Sequence, residues 1–554
     1  MCVSSEARGY HPILLGLALV SLLVLVPGCS LLGAKSEEPP VYKAPLIGDP
    51  VSIDPLYAQD ANGLEIVRQV FDGLTDYDPK TMKTVPALAE SWQPNEDASV
   101  WTFELREGVQ FHDESEVHAE DFKFAWERVV DPVNASDGAY HFASIQGFAE
   151  MRAKKAAELS GVRAVGEHRL EVRLTGPNAD FPAVVGHPVF SPVPAHLFEE
   201  PDGERRFRDR LVGTGPFRLG EWKREQFIIL ERWDGYLPVK AHLEKIIFSV
   251  YQNEDDAFED FNRGVLHEAE IPLAELKRLL AGQGLKKCVK NGPMLGVYYY
   301  ALSQARPPWK GAPALRQAAA QALDREQILA RVEEHLEVSA ATGLIPEGVP
   351  GFQAKASTVA YNRPQARRIL AAQRRAGTPV TLTYSLDGQH NLAAEAAAES
   401  LAEVGFSPRL EASAWPTYLE RISSGSLAMF HFGWIADYPT QDNFLFPAFY
   451  SKYAGRTNVT FYANAQTDAD LLEARRTLDP KLRQAKYLEI QRKVLAEAPV
   501  VPMYFYKTKR VFQGCVPDDA TREAQSKVHG YLRTALDSTP YERISLEEAA
   551  GHEE

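Results

Sequence analysis

The sequence has little cysteine and one long apolar run. Four cysteines stand in 554 residues, too few for a disulfide-stapled scaffold. The apolar run, Ile13 to Val26, has 14 residues, short of the ~20 that a membrane-spanning helix needs. No further run of ~18 apolar residues follows it. We therefore expect the rest of the chain to fold in water.

Recognisable catalytic motifs are also missing. The chain contains no G-x-S-x-G, H-E-x-x-H or C-x-x-C motif and no Walker phosphate loop. His112 and His118 flank three acidic residues, but their spacing matches no standard zinc arrangement, so a solvated loop is favoured. We expect neither catalysis nor a bound metal or cofactor.

Positive charge is in deficit. Asp and Glu number 75 against 60 Lys and Arg, a formal net charge of −15. A surface of that sign repels phosphate backbones, which disfavours nucleic acid as a partner. The length suggests roughly three or four domains of ~150 residues. Aromatic residues make up 10% of the chain and could serve a large core or an apolar binding surface.

The N-terminal segment has the pattern of a targeting signal. A short apolar run near the start favours a signal peptide over residues 1–28. It is followed by Val26-Pro27-Gly28-Cys29, which is similar to a lipobox, so Cys29 becomes the candidate lipidated N-terminus. The alternative is a cleaved secretory signal with an incidental cysteine. Residues 29–45 are polar and contain prolines, which predicts a flexible linker. Residues 546–554 are an acidic tail.

Two cysteines remain in the body of the chain, Cys288 and Cys515. In an exported protein two thiols can pair as one disulfide. Two separate buried thiols are the equally open alternative.

The first half of the chain alternates between helix and strand patterns. Apolar spacing at three and four residues predicts helices over 64–71, 119–130 and 255–263. Period-two alternation or short apolar runs predict strands over 101–105, 170–174, 227–230 and 246–250. A mixed α/β body follows from this order.

The second half has a clearer β-α-β-α-β order. Strands are predicted over 378–385, 406–410 and 427–434, and helices over 391–404 and 415–422, the first capped by Asn391. This order predicts a parallel sheet. Residues 436–439 then lie just past the carboxyl end of its last strand, where ligands bind in open α/β sheets.

Asp437 is therefore a candidate binding residue. Trp434 and Tyr438 stand beside it, so its carboxylate would lie at an aromatic wall and could bind a cationic group such as an ammonium. The alternative is an aspartate that caps the turn before Tyr438 and Pro439.

A series of short motifs runs through the chain in order. They are SIDP at 52–55, FDGLT at 71–75, PALAESW at 86–92, WTF at 101–103, LREGV at 105–109, FH at 111–112, GTGPF at 213–217, LRQA at 315–318, LDR at 323–325, GWIADY at 433–438 and NFL at 443–445. Each is weak alone, but their order is specific. With them the chain resembles the solute-binding proteins of peptide and nickel ABC importers, typified by oligopeptide- and dipeptide-binding proteins.

The resemblance implies an α/β, two-lobed periplasmic-binding-protein fold of type II, peptide-binding class, that closes on its ligand about a hinge. Its implied parts are a discontinuous lobe I at 46–73, 186–290 and 500–545, an inserted subdomain at 74–185, and lobe II at 291–499. Cys288 and Cys515 fall near the implied crossovers between lobes, which favours a bridge.

The resemblance also implies ligand contacts. In peptide-binding members the aspartate of G-W-x-x-D pairs with the peptide α-ammonium, and Asp437 stands at that position. Trp434 and Tyr438 flank it, and backbone groups around Gly433 would bond an extended ligand. Trp415 matches a pocket tryptophan of the family, and His431 stands where some members carry a carboxylate-binding arginine. The remaining candidates are Gln59, Ala61 and Asn62 in a loop of the first lobe, and Tyr504.

The leading hypothesis is a monomeric, lipid-anchored receptor in a bacterial cell envelope, on the periplasmic or extracellular face, that delivers peptides to an ABC permease and its ATPase. One alternative keeps the fold and binds another solute, such as a nickel chelate, an oligosaccharide or an opine. A less favoured alternative is a surface hydrolase.

Overall fold

The computed structural model describes residues 40–237, 240–272, 275, 290–333, 338–355, 359–386, 390–513, 527–529, 534 and 536–547. The signal peptide, Cys29, Cys288 and Cys515 lie outside these residues, so lipidation and the disulfide stay predictions. Within the described part of the chain, every helix is too short or too polar to cross a membrane.

The elements alternate between strands and helices along the whole body. The strands are β1 (Val41–Ile47), β2 (Thr75–Tyr77), β3 (Thr84–Pro86), β4 (Ala89–Pro94), β5 (Val100–Leu105), β6 (Val162–Ala164), β7 (Arg169–Arg173), β8 (Phe217–Lys223), β9 (Phe227–Arg232), β10 (Lys245–Tyr251), β11 (Glu268–Glu270), β12 (Lys290–Leu302), β13 (Val338–Ala340), β14 (Pro379–Ser385), β15 (Ser407–Ser413), β16 (Met429–Ile435), β17 (Val500–Phe512), β18 (Lys527–His529) and β19 (Ser545–Glu547).

The helices lie between them. They are α1 (Ala61–Val70), α2 (Ala119–Val130), α3 (Phe148–Arg152), α4 (Phe181–Val184), α5 (Gly203–Arg210), α6 (Glu254–Asn262), α7 (Pro313–Ala322), α8 (Arg325–Glu333), α9 (Arg363–Ala372), α10 (His390–Val404), α11 (Trp415–Ser423), α12 (Gln441–Phe449), α13 (Ala465–Arg476) and α14 (Pro480–Glu497). The helices predicted from apolar spacing are present, but Asn391 is the second residue of α10 rather than its cap.

A four-stranded sheet has the order β1-β10-β9-β8, with β1 parallel to β10. Its first strand corrects the predicted linker 29–45, because residues from Val41 onward already belong to β1. Tyr42, Ala44 and Leu46 are buried, so alternate residues of this strand face the core despite its proline and lysine. The linker therefore ends before Val41.

Residues 74–185, which we call the inserted segment, carry an antiparallel sheet of order β4-β5-β7-β6. Trp101, Phe103 and Leu105 of β5 are buried in alternation. The apolar stripe of α2, with Phe122 and Trp126 fully buried, belongs to the same core cluster. The alternate residues of the strand and the apolar stripe of the helix are therefore buried in the same core.

A large sheet has the order β11-β17-β12-β16-β14-β15, and β13 also pairs with β17. β14 is parallel to both β15 and β16, which confirms the parallel β-α-β-α-β unit. β17, which the sequence analysis placed in the first lobe, pairs with β12 along most of its length and with β11 of that predicted lobe through Arg510–Phe512. The apolar run Val500–Phe505 is buried within this sheet.

A buried ion cluster ties the inserted segment to the first part of the chain. Arg128 on α2 donates to both carboxylate oxygens of Asp54, at 3.1 and 2.7 Å, and to Glu204 on α5 at 2.8 Å. The side chains of Arg128 and Asp54 are 5% and 3% exposed. Such a pair is costly to form from water, and breaking it leaves a buried charge without a partner.

Polar contacts also join the inserted segment to residues near the large sheet. Arg483 on α14 forms an ion pair with Asp180 at 3.0 Å, and the amide of Ala179 donates to the carbonyl of Arg475 at 2.6 Å. Burial raises the pKa of Asp180 to about 6, and the nearby Asp442 adds to the effect against the opposing charge of Arg483. The two parts therefore meet at a partly desolvated charged contact.

We expect Arg128→Met to lower the free energy of unfolding by about 3–5 kcal/mol, because Asp54 is left buried and unpaired. Chemical denaturation measures this. The matched control is Arg169→Met, which removes an exposed ion pair with Glu104 (2.8 Å) and should cost under ~1 kcal/mol. Equal losses in the two variants would contradict the role of the buried cluster.

Asp180→Asn should change how stability depends on pH. A carboxyl with a raised folded-state pKa binds a proton more tightly in the folded than in the unfolded chain, so its contribution is lost as pH rises from ~4 to about 6. Between pH 4 and 7, the free energy of unfolding of the asparagine variant should therefore rise relative to that of the wild type by about 2–3 kcal/mol. Denaturation curves at several pH values test this, and a relative loss over that range would contradict it.

Candidate functional site

The candidate site begins where the pairing between β16 and β14 ends. β14 pairs with β16 through Met429 and Phe430, whereas β12 pairs with it as far as Ile435. From His431 to Ile435 the described residues therefore provide no strand partner on the β14 side. The chain then turns, with the amide of Ala436 bonded to the carbonyl of Leu295 at 2.8 Å, and Asp437 follows at the strand's carboxyl end.

The carboxylate of Asp437 accepts hydrogen bonds from two neutral groups. The hydroxyl of Tyr140 donates to Oδ1 at 3.2 Å, and Nδ2 of Asn443 donates to Oδ2 at 3.2 Å. Tyr140 lies in a 3₁₀ turn, Asp137–Phe142, of the inserted segment. In the described part of the chain, no arginine, lysine or histidine forms an ion pair with Asp437.

Asn443 fixes the position of two candidate residues at once. Its Oδ1 accepts from Nε1 of Trp434 at 2.9 Å and from the amide of Asp437 at 3.2 Å. Asn443 is 1% exposed and lies in the first turns of α12. Both faces of its amide are thus used to hold the strand end against the helix, and the sequence analysis assigned it no role.

A cavity of about 240 Å³ opens beside Asp437. One wall comes from the inserted segment and includes Tyr140, His141, Ala143, Ser144, Asn178 and Val184. The other wall comes from residues 434–475 and includes Trp434, Asp437, Tyr438, Phe446, Tyr453, Arg456 and Arg475. The predicted trio of Trp434, Asp437 and Tyr438 is therefore brought together at one cavity.

A buried ion pair backs the second wall. Asp442 is 1% exposed and lies 3.4 Å from Nε of Arg475. The hydroxyl of Tyr487 donates to Asp442 at 2.7 Å, and that of Tyr438 donates at 3.4 Å. Tyr438 thus belongs to this network through its hydroxyl.

A second histidine, His187, stacks on the cavity-lining His141. The rings of His141 and His187 are 4.4 Å apart, and both residues are buried. Burial lowers the pKa of His141 against the attraction of Asp437, and burial lowers the pKa of His187 further below its usual range. Both rings are therefore neutral near pH 7, so they neither compete with a ligand cation nor repel it.

The structure places His431 in a buried aromatic stack rather than at the cavity. Its ring lies 4.0 Å from that of His390 and 5.4 Å from that of Tyr298. Its Nε2 accepts from the amide of Ser385 at 3.0 Å, and burial lowers its pKa to about 3. A neutral ring with its nitrogen already bonded does not replace a carboxylate-binding arginine.

Tyr504 and Trp415 also lie apart from the cavity lining. Tyr504 is 1% exposed and stacks on Tyr298 at 4.4 Å, so it is a core residue. Trp415 begins α11, is 41% exposed and stacks on Tyr418 at 5.8 Å. A Cβ at Gly433 would lie 2.8 Å from the hydroxyl of Tyr506, so a larger residue there would have to displace that side chain.

The predicted first-lobe loop forms the start of α1. Ala61 is the first helical residue, and Asn62 donates to the carbonyls of Ile47 and Gly48 at 2.8 and 3.0 Å. Asn62 therefore has a structural role. Gln59 lies against the Tyr140 turn, because a Cβ on Gly138 would be 2.7 Å from its Nε2. Among the described residues, no group of three or more His, Cys, Asp or Glu side chains is placed to hold a metal ion.

Known proteins match this chain over most of its length. A family model described as "Bacterial extracellular solute-binding proteins, family 5 Middle" matches residues 83–456. The dipeptide-binding protein DppE of Bacillus subtilis is 28% identical over 477 residues, which cover 83% of this chain and 85% of that protein. The periplasmic oligopeptide-binding protein OppA of Escherichia coli is 28% identical over 481 residues, which cover 83% and 86%.

A solved structure has the same fold. The binding protein DppA from Helicobacter pylori, in complex with the peptide STSA, matches with a TM-score of 0.70 at 24% identity, over 92% of this chain and 98% of that one. The expected two-lobed α/β fold is confirmed. Because the family model covers more than half of the residues, the chain belongs to the family 5 bacterial extracellular solute-binding proteins.

Proposed function

We propose that this protein is an extracytoplasmic lipoprotein that captures peptides with a free N-terminus and delivers them to an ABC permease and its ATPase. It does no chemistry on the peptide. The observation that supports this most directly is the carboxylate of Asp437, which lines a cavity and is bonded by the neutral groups of Tyr140 and Asn443.

The α-ammonium of a peptide fits this carboxylate. Each oxygen of Asp437 accepts one hydrogen bond from the protein and keeps a free lone pair. An ammonium has three N–H donors and a positive charge, so it can bond to both oxygens and supply the missing counter-charge. A ligand whose amine is acetylated offers neither the charge nor the donors.

The edge of β16 fits the rest of an extended peptide. Residues from Phe432 to Ile435 run past the end of the pairing with β14 and lead directly to Asp437. A peptide held by its ammonium at Asp437 can add alongside this edge through backbone hydrogen bonds, which are independent of side-chain identity. Such binding tolerates many sequences beyond the first residue.

The proposed body has one lobe built from 41–73, 186–290 and 500–545, and another built from about 291–499. The inserted segment 74–185 supplies the wall that carries Tyr140. Closure of the lobes would complete the site and report occupancy to the permease. The monomeric state and a lipid anchor through Cys29 belong to the same proposal.

Asp437→Asn should weaken the binding of tri-alanine by about 10- to 100-fold, because the charge-assisted bond to the ammonium is lost while the shape is kept. Isothermal calorimetry measures this. In the wild type, N-acetyl-tri-alanine should bind more weakly than tri-alanine by a similar factor. Glu420→Gln, on the exposed face of α11, is the matched control and should leave the affinity unchanged.

The acetylated peptide and the variant together test the ammonium role. Equal binding of free and acetylated peptide by the wild type, or no binding of either, would contradict the proposed function. A loss of affinity for both peptides in Asp437→Asn would show that the residue acts on shape rather than on the amine.

Asn443→Ala should weaken tri-alanine binding by about tenfold. Removal of the amide frees the indole N–H of Trp434 and one oxygen of Asp437, so the carboxylate is no longer held in place. The intrinsic fluorescence of Trp434 should shift as well. An unchanged affinity would show that α12 positions the carboxylate without this amide.

A further inference from the structure

The charges around the cavity do not all cancel locally. The ionisable aspartate and arginine side chains in its lining are Asp437, Asp442, Arg456 and Arg475. Asp442 and Arg475 form a buried pair, supported by the hydroxyl of Tyr487. Asp437 and Arg456 are left without an ionic partner in the part of the chain that the structure describes. The cavity therefore carries one free negative and one free positive group.

Arg456 lies on a segment held firmly against the second wall. Its amide donates to the carbonyl of Tyr453 at 2.9 Å, and the hydroxyl of the adjacent Thr457 donates to the carbonyl of Pro447 in α12 at 2.8 Å. The side chain of Arg456 is exposed, so it reaches the cavity without a desolvation cost in the free protein. Its position is set by the backbone, while its charge stays available.

The remaining polar groups of the cavity bring no competing anion. Tyr140 and Asn443 are neutral, and burial lowers the pKa of His141, so that ring is neutral too. Once an ammonium occupies Asp437, the uncompensated charge in the lining is the guanidinium of Arg456. A guanidinium binds a carboxylate through two parallel N–H donors, which a hydroxyl or amide cannot match.

The size of the cavity limits what can reach Arg456. Its volume of about 240 Å³ is below the ~300–1,000 Å³ of pockets for whole drug-sized ligands. It therefore admits one residue of a peptide rather than its full length. With the ammonium at Asp437, the group that enters is attached close to the ligand's amine.

We propose that this cavity is a subsite for a carboxylate carried close to the ligand's ammonium, and that Arg456 binds it. This proposal rests on the proposed function, since it takes Asp437 as the ammonium site. Two sources supply such a carboxylate: the acidic side chain of a first residue, or the terminal carboxylate of a dipeptide. The protein should then prefer ligands that carry both charges near one end.

The test compares matched peptides by calorimetry at low salt. The first arm uses Glu-Ala-Ala against Gln-Ala-Ala, and the second uses Ala-Ala against its C-terminal amide, with tri-alanine as the reference in both. The proteins are the wild type, Arg456→Gln, Arg456→Lys and Lys452→Gln. Lys452→Gln removes one positive charge from the same segment, as Arg456→Gln does, but Lys452 does not line the cavity.

We expect the wild type to prefer the carboxylate-bearing ligand by about fivefold in at least one arm, the upper range for an exposed ion pair. The preference should vanish in Arg456→Gln, persist in Lys452→Gln and survive in part in Arg456→Lys. A preference in the first arm assigns the carboxylate to a side chain, and one in the second arm assigns it to the terminus.

Three results would overturn the proposal. No preference in either arm, with tri-alanine still bound, would remove the subsite and leave the proposed function intact. A preference that persists in Arg456→Gln would remove the role of Arg456. A wild type that binds none of the peptides would contradict the proposed function, and the subsite would fall with it.

Discussion

The position of one carboxylate depends on one buried side-chain amide. Asn443 accepts from the indole of Trp434 and from the amide of Asp437, and it donates to the carboxylate of Asp437. These bonds join the end of β16 to the first turns of α12, so the strand's exit, the aromatic wall and the charge are oriented together. An amide suits this task because its oxygen accepts while its separate NH₂ group donates, whereas a carboxylate has no donor and a hydroxyl must do both from one atom.

The cavity exists because two distant parts of the chain meet. The hydroxyl of Tyr140 lies 3.2 Å from Oδ1 of Asp437, although the two residues are 297 positions apart in the sequence. The same two parts are held by the pair of Asp180 and Arg483, and Arg128 in turn anchors the inserted segment to Asp54. Under the proposed function, a ligand that bonds Asp437 would act on this contact. Ligand binding would then be coupled to the relative position of the two parts of the chain.

Local pattern predicted much of this fold, and its failures have physical reasons. The β-α-β-α-β order placed Asp437 at the carboxyl end of a parallel strand, because that rule depends on chain direction alone. Alternation in β16 and β17 could not show which face the helices cover, and that is why His431 and Tyr504 proved to be core residues. Tyr140 has no local signal, since its contact with Asp437 arises from packing between distant segments. Asn443 stood in a recognised motif, and its spacing of six residues from Asp437 could have indicated the bond between them.

The small cavity and the long strand edge divide the work of recognition. A volume of about 240 Å³ holds one residue, whereas β16 offers backbone groups to a chain of any sequence. Selectivity should therefore be concentrated at the first residue, where Asp437 and Arg456 supply charges of opposite sign. Beyond it, under the proposed function, affinity would come mainly from backbone hydrogen bonds, which are nearly indifferent to side chains. The net charge of −15 lies mostly outside this site, so it should affect solubility rather than ligand choice. Ligand choice should depend on the two charges of the cavity.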